Sequence, residues 1–267
     1  MSRICDTFSE LKRAGRGGFI PFIMAGDPDL ETTELLLIEL VAAGADIIEL
    51  GVPFSDPVAD GAVIQRASER ALQKGVMLSD ALTCVSNAKQ HVVIPIVLFG
   101  YLNPLLKFGQ DRLAKEGRRV GIDSVLITDL IPEEAGAWLE TFHDHEIDLI
   151  FLTAPTTSDE RLTRIAQQGS GFIYAVSRAG VTGARDEMPH DAEPLVKRVR
   201  NASDLPIAVG FGISTPEQIQ QVWRFADAAV IGSALVSQIE KLSDSPDLVA
   251  QVGVFTRSLL ERRPAGH

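Results

Sequence analysis

Eight short apolar runs, rich in β-branched residues, punctuate the chain: FIPFIM (19–24), DIIEL (46–50), IPIVLF (94–99), SVLIT (124–128), DLIFL (148–152), FIYAV (172–176), PIAVG (206–210) and AAVIG (228–232). Between them lie helix-like stretches such as LETTELLLIELVAAGA (30–45) and TPEQIQQVWRFA (215–226), the latter opening with a threonine cap and a proline at the first helical position. Strands that alternate with helices run parallel, because each helical crossover returns the chain to the end of the sheet where the last strand began. Eight such units predict an α/β fold of the (β/α)8 TIM-barrel type, a single domain over residues 1–267. An open doubly wound sheet would carry a glycine-rich fingerprint after its first strand, and FIMAGDPDL does not supply one.

The second and third runs begin 48 residues apart, at 46 and 94, whereas no other interval exceeds 34. The excess falls after the second strand. The connection after the sixth, SRAGVTGARDEMPHD, is also long. Loops leaving the C-terminal strand ends build the active site of a barrel, so both predict lids or partner surfaces.

With 45% hydrophobic residues the chain can bury a large core, and its 25 basic against 36 acidic residues leave a net charge of −11. That charge argues against sequence-independent binding to nucleic acid or anionic lipid and leaves a small molecule or a protein as the expected partner. Cys5 and Cys84 are too few for a disulfide framework and lie in no metal-type spacing, which suits a reducing compartment. The opening MSRICDTFSELKRAG has no apolar signal run, and Asp6 and Glu10 are out of place in an organellar targeting peptide, so a cytoplasmic protein is expected. Ile4, Phe8 and Leu11 recur there at helical spacing, predicting a short N-terminal helix packed on the body of the fold. No apolar run approaches the roughly 18 residues of a membrane span.

Glu49 stands in ADIIELG, an otherwise apolar strand, one residue before its expected end and on the face of Ile47. It should point into the barrel mouth. A carboxylate there must be paired, hydrogen-bonded or raised in pKa, and a buried ion pair accounts for the position as readily as catalysis does. Eleven residues on, in GVPFSDPVADG, Asp60 closes a loop whose Pro53, Pro57 and Gly61 stop both helix and strand. Asp56 and Asp60 could simply shape that turn or cap the helix beginning near Ala62. Two carboxylates at one barrel mouth, one on a rigid strand and one on a lid, also make an acid–base pair.

VGFGIST (209–215) and VIGSALV (230–236) follow the seventh and eighth strands, where barrels commonly bind phosphate. Gly210, Gly212 and Gly232 would expose backbone N–H groups there, Ser233 would add a hydroxyl at a helix N-terminus, and Gly183 could supply a backbone donor from a third loop, the one after the sixth strand. Tight turns alone would also explain these glycines. All seven lysines (12, 74, 89, 107, 115, 197 and 241) fall outside the eight runs, so a Schiff-base aldolase has no nucleophile. His91, His143, His145, His190 and His267 lie off the expected strand ends, so no metal site is expected. Phe22, Phe99, Tyr101, Leu126, Tyr174 and Phe211 cluster near strand C-termini; each suits core packing, and together they could line a pocket for a flat apolar ligand.

These segments, with FIPFIMAGDPD, AGADIIELGVPFSDPVADG, LFGYLNPLLKFG, GIDSVLITDLIPEEA, APTTSDERL and GFIYAVSRAGVTGAR in order along the chain, closely resemble the tryptophan synthase alpha chain family. The resemblance implies a lyase that cleaves indole-3-glycerol phosphate in a retro-aldol sense, with Glu49 moving the protons and Asp60 holding the indole N–H. It also implies a phosphate site at Gly183, Gly212, Gly232 and Ser233 and an indole pocket of Phe22, Phe99, Leu126 and Phe211. Tyr174 would stand near Glu49, and the Thr182 hydroxyl would meet the lid aspartate. No cofactor is implied in this chain; pyridoxal phosphate is expected in a beta chain docked on the surface of Asp56, Pro57, Asn103, Pro104 and Pro132. The sequence departs from common family residues at Val58, Ala62 and Ile131. A freestanding lyase that releases indole without a beta chain, and a non-catalytic allosteric barrel, are the alternatives.

Overall fold

The computed structural model describes residues 2–176, 191–210 and 212–263. Eight parallel strands close into a barrel in sequence order: β1 (Gly18–Met24), β2 (Ile48–Gly51), β3 (Ile96–Gly100), β4 (Ser124–Ile127), β5 (Asp148–Thr153), β6 (Ile173–Val176), β7 (Ile207–Gly210) and β8 (Ala228–Ile231), with β8 pairing back onto β1. Every one of the eight apolar runs is a strand, with limits within two residues of those expected.

The alternation of side chains along each strand divides two cores. Ile20, Phe22 and Met24 of β1 point into the barrel with Ile47, Val97, Leu126, Ile150 and Tyr174, whereas Phe19 and Ile23 point outward against the helices. The outer layer comprises α2 (Leu30–Ala42), α3 (Ala62–Gln73), α4 (Leu78–Ala88), α5 (Leu102–Phe108), α6 (Gln110–Val120), α7 (Gly136–Asp144), α8 (Asp159–Gln168), α9 (Ala192–Ala202), α10 (Pro216–Trp223), α11 (Ser233–Lys241) and α12 (Leu248–Leu260). Local chemistry sets their starts. Asp29 accepts a hydrogen bond from the Thr32 amide at 2.7 Å to open α2, and Thr215 and Gln218 form a reciprocal capping box at α10 with Pro216 at its first position.

α1 (Arg3–Arg13) buries the predicted face of Ile4, Phe8 and Leu11 in the inner core, and the Phe8 ring packs 5.7 Å from that of Phe172. This helix closes the N-terminal end of the barrel, leaving the C-terminal end for the cavity. The excess length between β2 and β3 is largely an additional helix: α3 precedes α4, and it packs against α11 and β1 instead of forming an extended lid. Among the described residues no helix is long and apolar enough to cross a membrane.

Candidate active site

At the C-terminal end of the barrel a cavity is lined by Phe22, Glu49, Asp60, Gly61, Ile64, Phe99, Tyr174, Gly212, Val230, Gly232 and Ser233. The β1–β2 register sets Phe22 beside Glu49, and the Phe22 and Phe99 rings meet edge to face with centroids 5.3 Å apart. Together with Ile64 and Val230 they give the cavity an apolar lining.

Glu49 is fully buried, and among the described residues neither carboxylate oxygen has a hydrogen-bond partner. Loss of hydration pushes its pKa up to about 8, so the free site holds the neutral acid at pH 7. A proton donor with no protein acceptor, facing a cavity, is poised to protonate whatever enters. The Tyr174 phenol is also fully enclosed, and burial together with the nearby Glu49 and Asp60 raises its pKa well above the usual phenol value.

Asp60 ends the loop after β2. Its pKa is pushed up to about 6 by burial, opposed by a hydrogen bond from the Tyr101 hydroxyl. The same hydroxyl accepts the Ala59 N–H at 3.0 Å, so Tyr101, at the start of α5, pins the end of the loop. Ser68 of α3 holds the beginning: its hydroxyl accepts from the Phe54 amide and donates to the Phe54 carbonyl, both at 2.8 Å. Asp60 does not cap α3; Gly61 occupies that position, without a side-chain cap. At pH 7 Asp60 is mainly ionised while Glu49 is mainly protonated. Their environments thus separate an anion from an acid in one cavity.

The start of α11 in the same cavity suits a phosphate. α11 begins at Ser233 behind Gly232 with no side-chain cap, so its first amides have no side-chain acceptor. α10 differs, because Thr215 and Gln218 already occupy its first turn. Gly212 adopts φ +82° with no atom within 4 Å of a would-be Cβ, so backbone conformation selects glycine there. At Gly210 the reason is space: a Cβ would lie 2.1 Å from the Tyr174 hydroxyl. This strand-end glycine accommodates the tyrosine and is not among the cavity residues.

Of the expected site residues, Phe22, Glu49, Asp60, Phe99, Tyr174, Gly212, Gly232 and Ser233 converge on this cavity. Leu126 does not line it; paired with Phe99 in the β3–β4 register, it is wholly enclosed in the inner core. Thr182, Gly183 and Phe211 lie outside the described residues. Ile64 and Val230 were not singled out by sequence, and Gly61 only as a breaker in the Asp60 loop. Ile64 carried a usable signal, since it falls one turn inside the helix that the Asp60 loop introduces. On the rim, Asp56 and Asn103 are exposed and Pro57 and Pro104 half-buried, while Pro132 is buried as the first residue of a 3-10 turn (Pro132–Glu134) and Ile131 takes its place at the surface. Val58, Ala62 and Ile131, the three departures, are all exposed. None of the seven lysines lies in a strand; Lys89 sits among the N-terminal strand ends, 3.1 Å from Asp123. His143 likewise lines a groove with Asp123 and Asp148, which flank or begin β4 and β5 at that far end.

The sequence model of the family described as "Tryptophan synthase alpha chain" matches residues 8–261. The chain belongs to the tryptophan synthase alpha chain family. The alpha chains of Citrifermentans bemidjiense and Solibacter usitatus are 49% and 46% identical to it, each over 97% of this chain and 97% of the relative. The crystal structure of tryptophan synthase subunit alpha from Legionella pneumophila superposes with a TM-score of 0.91 at 38% identity, covering 98% of both chains. A structure of Mycobacterium tuberculosis tryptophan synthase gives 0.89 at 36% identity over 97% of both. The tryptophan synthase alpha fold is thus the whole described barrel, and its mouth carries the two acids.

Proposed function

We propose that this chain is the carbon–carbon lyase of tryptophan biosynthesis that cleaves indole-3-glycerol phosphate to indole and glyceraldehyde 3-phosphate, with Glu49 and Asp60 as its acid–base pair. The observation that carries the roles is the buried Glu49, neutral at pH 7 and without a hydrogen-bond partner among the described residues, in the same cavity as an uncapped helix N-terminus. Glu49 gives its proton to the indole carbon that bears the glycerol chain. The ring becomes an indoleninium whose positive nitrogen is stabilised by the Asp60 carboxylate. Glu49, now an anion, takes the proton of the adjacent side-chain hydroxyl; the carbon–carbon bond breaks, its electron pair restores the indole, and the carbonyl of the aldehyde forms. One proton is given and one recovered, so Glu49 ends as it began. The ring serves as the electron sink that a lysine or metal supplies in other aldolases.

Phe22 and Phe99 would line the indole pocket, with Phe211 completing it and Leu126 supporting it from the inner core. Gly212, Gly232 and Ser233 would hold the phosphate with Gly183, while Tyr174 and Thr182 would orient Glu49 and Asp60. Residues 1–267 would form one domain in the cytoplasm, without a cofactor of its own. Family membership implies a beta chain as partner; it would carry pyridoxal phosphate and dock on the rim of Asp56, Pro57, Asn103 and Pro104, with Pro132 shaping the neighbouring turn. Incubating the purified chain with indole-3-glycerol phosphate and measuring indole tests the reading. Cleavage that rises severalfold on adding beta chain supports the two-subunit enzyme; unaltered cleavage supports a freestanding lyase, and none in either case overturns the function.

A further inference from the structure

Two arginines on one face of α3, Arg66 and Arg70, converge on a single carboxylate of α11. Arg66 gives Glu240 two hydrogen bonds through Nε and Nη2, both at 2.7 Å, and Arg70 Nη1 adds a third at 2.7 Å. Arg70 turns its other two nitrogens to Asp27, in the loop after β1, at 2.8 Å each. Asp27 is 1% exposed, so this fork–fork pair is what lets its charge stay buried. Four charges therefore alternate, Asp27, Arg70, Glu240, Arg66, and join three segments of chain. The net charge of the set is zero. The strong pull of the two guanidiniums holds the Glu240 carboxyl at about 2, so Glu240 stays ionised throughout the neutral range.

What these segments hold at their other ends gives the network its meaning. α3 starts two residues after Asp60, and α11 starts at Ser233. The cross-link sits one to two turns down each helix, roughly 6–12 Å from those starts at about 1.5 Å per residue. A helix is stiff over that length, so a tilt at the cross-link is transmitted to its N-terminus. Val76, in the turn that ends α3, also packs on Gly26 of the β1 loop, where a Cβ would come within 2.5 Å of it. The tail of α3 is thus fixed on two sides.

Resting on the functional reading above, we propose that the Asp27–Arg70–Glu240–Arg66 network is a positioning device that sets the span between the ring-binding end of the site, at Asp60, and the phosphate-binding end, at Ser233. A ligand that reaches both ends gains from their fixed separation as two linked binding events do; a fragment that occupies one end does not. None of the four residues lines the cavity, so they act only through the helices.

The discriminating variant is Glu240→Gln, which removes the joint between helices but leaves the Arg70–Asp27 pair that keeps a buried charge compensated. Three probes are titrated calorimetrically against the full chain: indole for the ring end, glycerol 3-phosphate for the phosphate end, and indole-3-propanol phosphate, which spans both and lacks the hydroxyl needed for cleavage. The expected result is about tenfold weaker binding of the spanning ligand, with each fragment within about twofold of wild type. Equal weakening of all three, or of none, overturns the proposal. Arg66→Gln, at a half-exposed position, gives the same pattern more weakly and serves if Glu240→Gln does not fold. Arg70→Lys retains the charge but loses the fork, so it should fall between wild type and Glu240→Gln. Wild-type chain that fails to bind the spanning ligand would instead overturn the functional reading on which this one rests.

Discussion

Glu49 combines full burial with two unpartnered oxygens, an arrangement that costs stability whenever the group is ionised. Its pKa is about 8 in the folded chain against an ordinary 4.5, so unfolding at neutral pH releases a proton. The stability it allows is fully present below pH 4.5 and is lost as pH rises toward 8. Glu49→Gln removes this dependence. The variant should gain on wild type by on the order of 3 kcal/mol between pH 4.5 and pH 7, as read by urea titration at several pH values. An unchanged difference over that range would mean that Glu49 ionises freely. In the proposed mechanism Asp60 is ionised and Glu49 protonated, so kcat/KM should rise through about pH 6 and fall through about pH 8. Asp60→Asn should lower the plateau and abolish the acid limb while retaining the alkaline one; loss of the alkaline limb instead would reverse the assignments.

Among the secondary-structure elements, the strands were legible because each couples a short apolar run to a period-2 division between two cores, as Phe22 inside and Ile23 outside show. α3 was not. A surplus of residues after β2 is compatible with either a long loop or an added helix, and what decides is packing on α11 and β1, distant in sequence. Tyr101 escaped for a related reason: as an aromatic at a strand end it suits core packing, and only the fold brings its hydroxyl to Asp60 and the Ala59 amide, 42 residues away. Tyr101→Phe should therefore raise KM about three- to tenfold through a looser loop, the loss of one or two hydrogen bonds at about 1 kcal/mol each, with little change in thermal midpoint. Gly210 tests a second element contact. Gly210→Ala drives a methyl into the Tyr174 hydroxyl, so it should destabilise by about 1–3 kcal/mol and lower kcat as Tyr174 shifts beside Glu49. Wild-type kinetics in that variant would show that Tyr174 can move freely.

Across the whole molecule, the barrel keeps a closed end and a working end. α1 seals the N-terminal end through Phe8 and Phe172, so Phe8→Ala should cost about 3–5 kcal/mol in chemical denaturation yet leave the kcat of the folded chain unchanged. The C-terminal end gathers an acid on β2, a carboxylate ahead of α3 and the uncapped start of α11, and these were legible from sequence as motifs but not as one cavity. Sequence could place Glu49 near a strand end, but only the closed barrel shows that nothing in the described protein satisfies it. The direct test compares wild type with Glu49→Gln, measuring indole release from indole-3-glycerol phosphate and, in parallel, binding of indole-3-propanol phosphate. The expected result is release slowed by about 10²–10⁴-fold with the affinity for the analogue retained within a few-fold; release at the wild-type rate with the analogue still bound would contradict Glu49 as the proton-transfer residue.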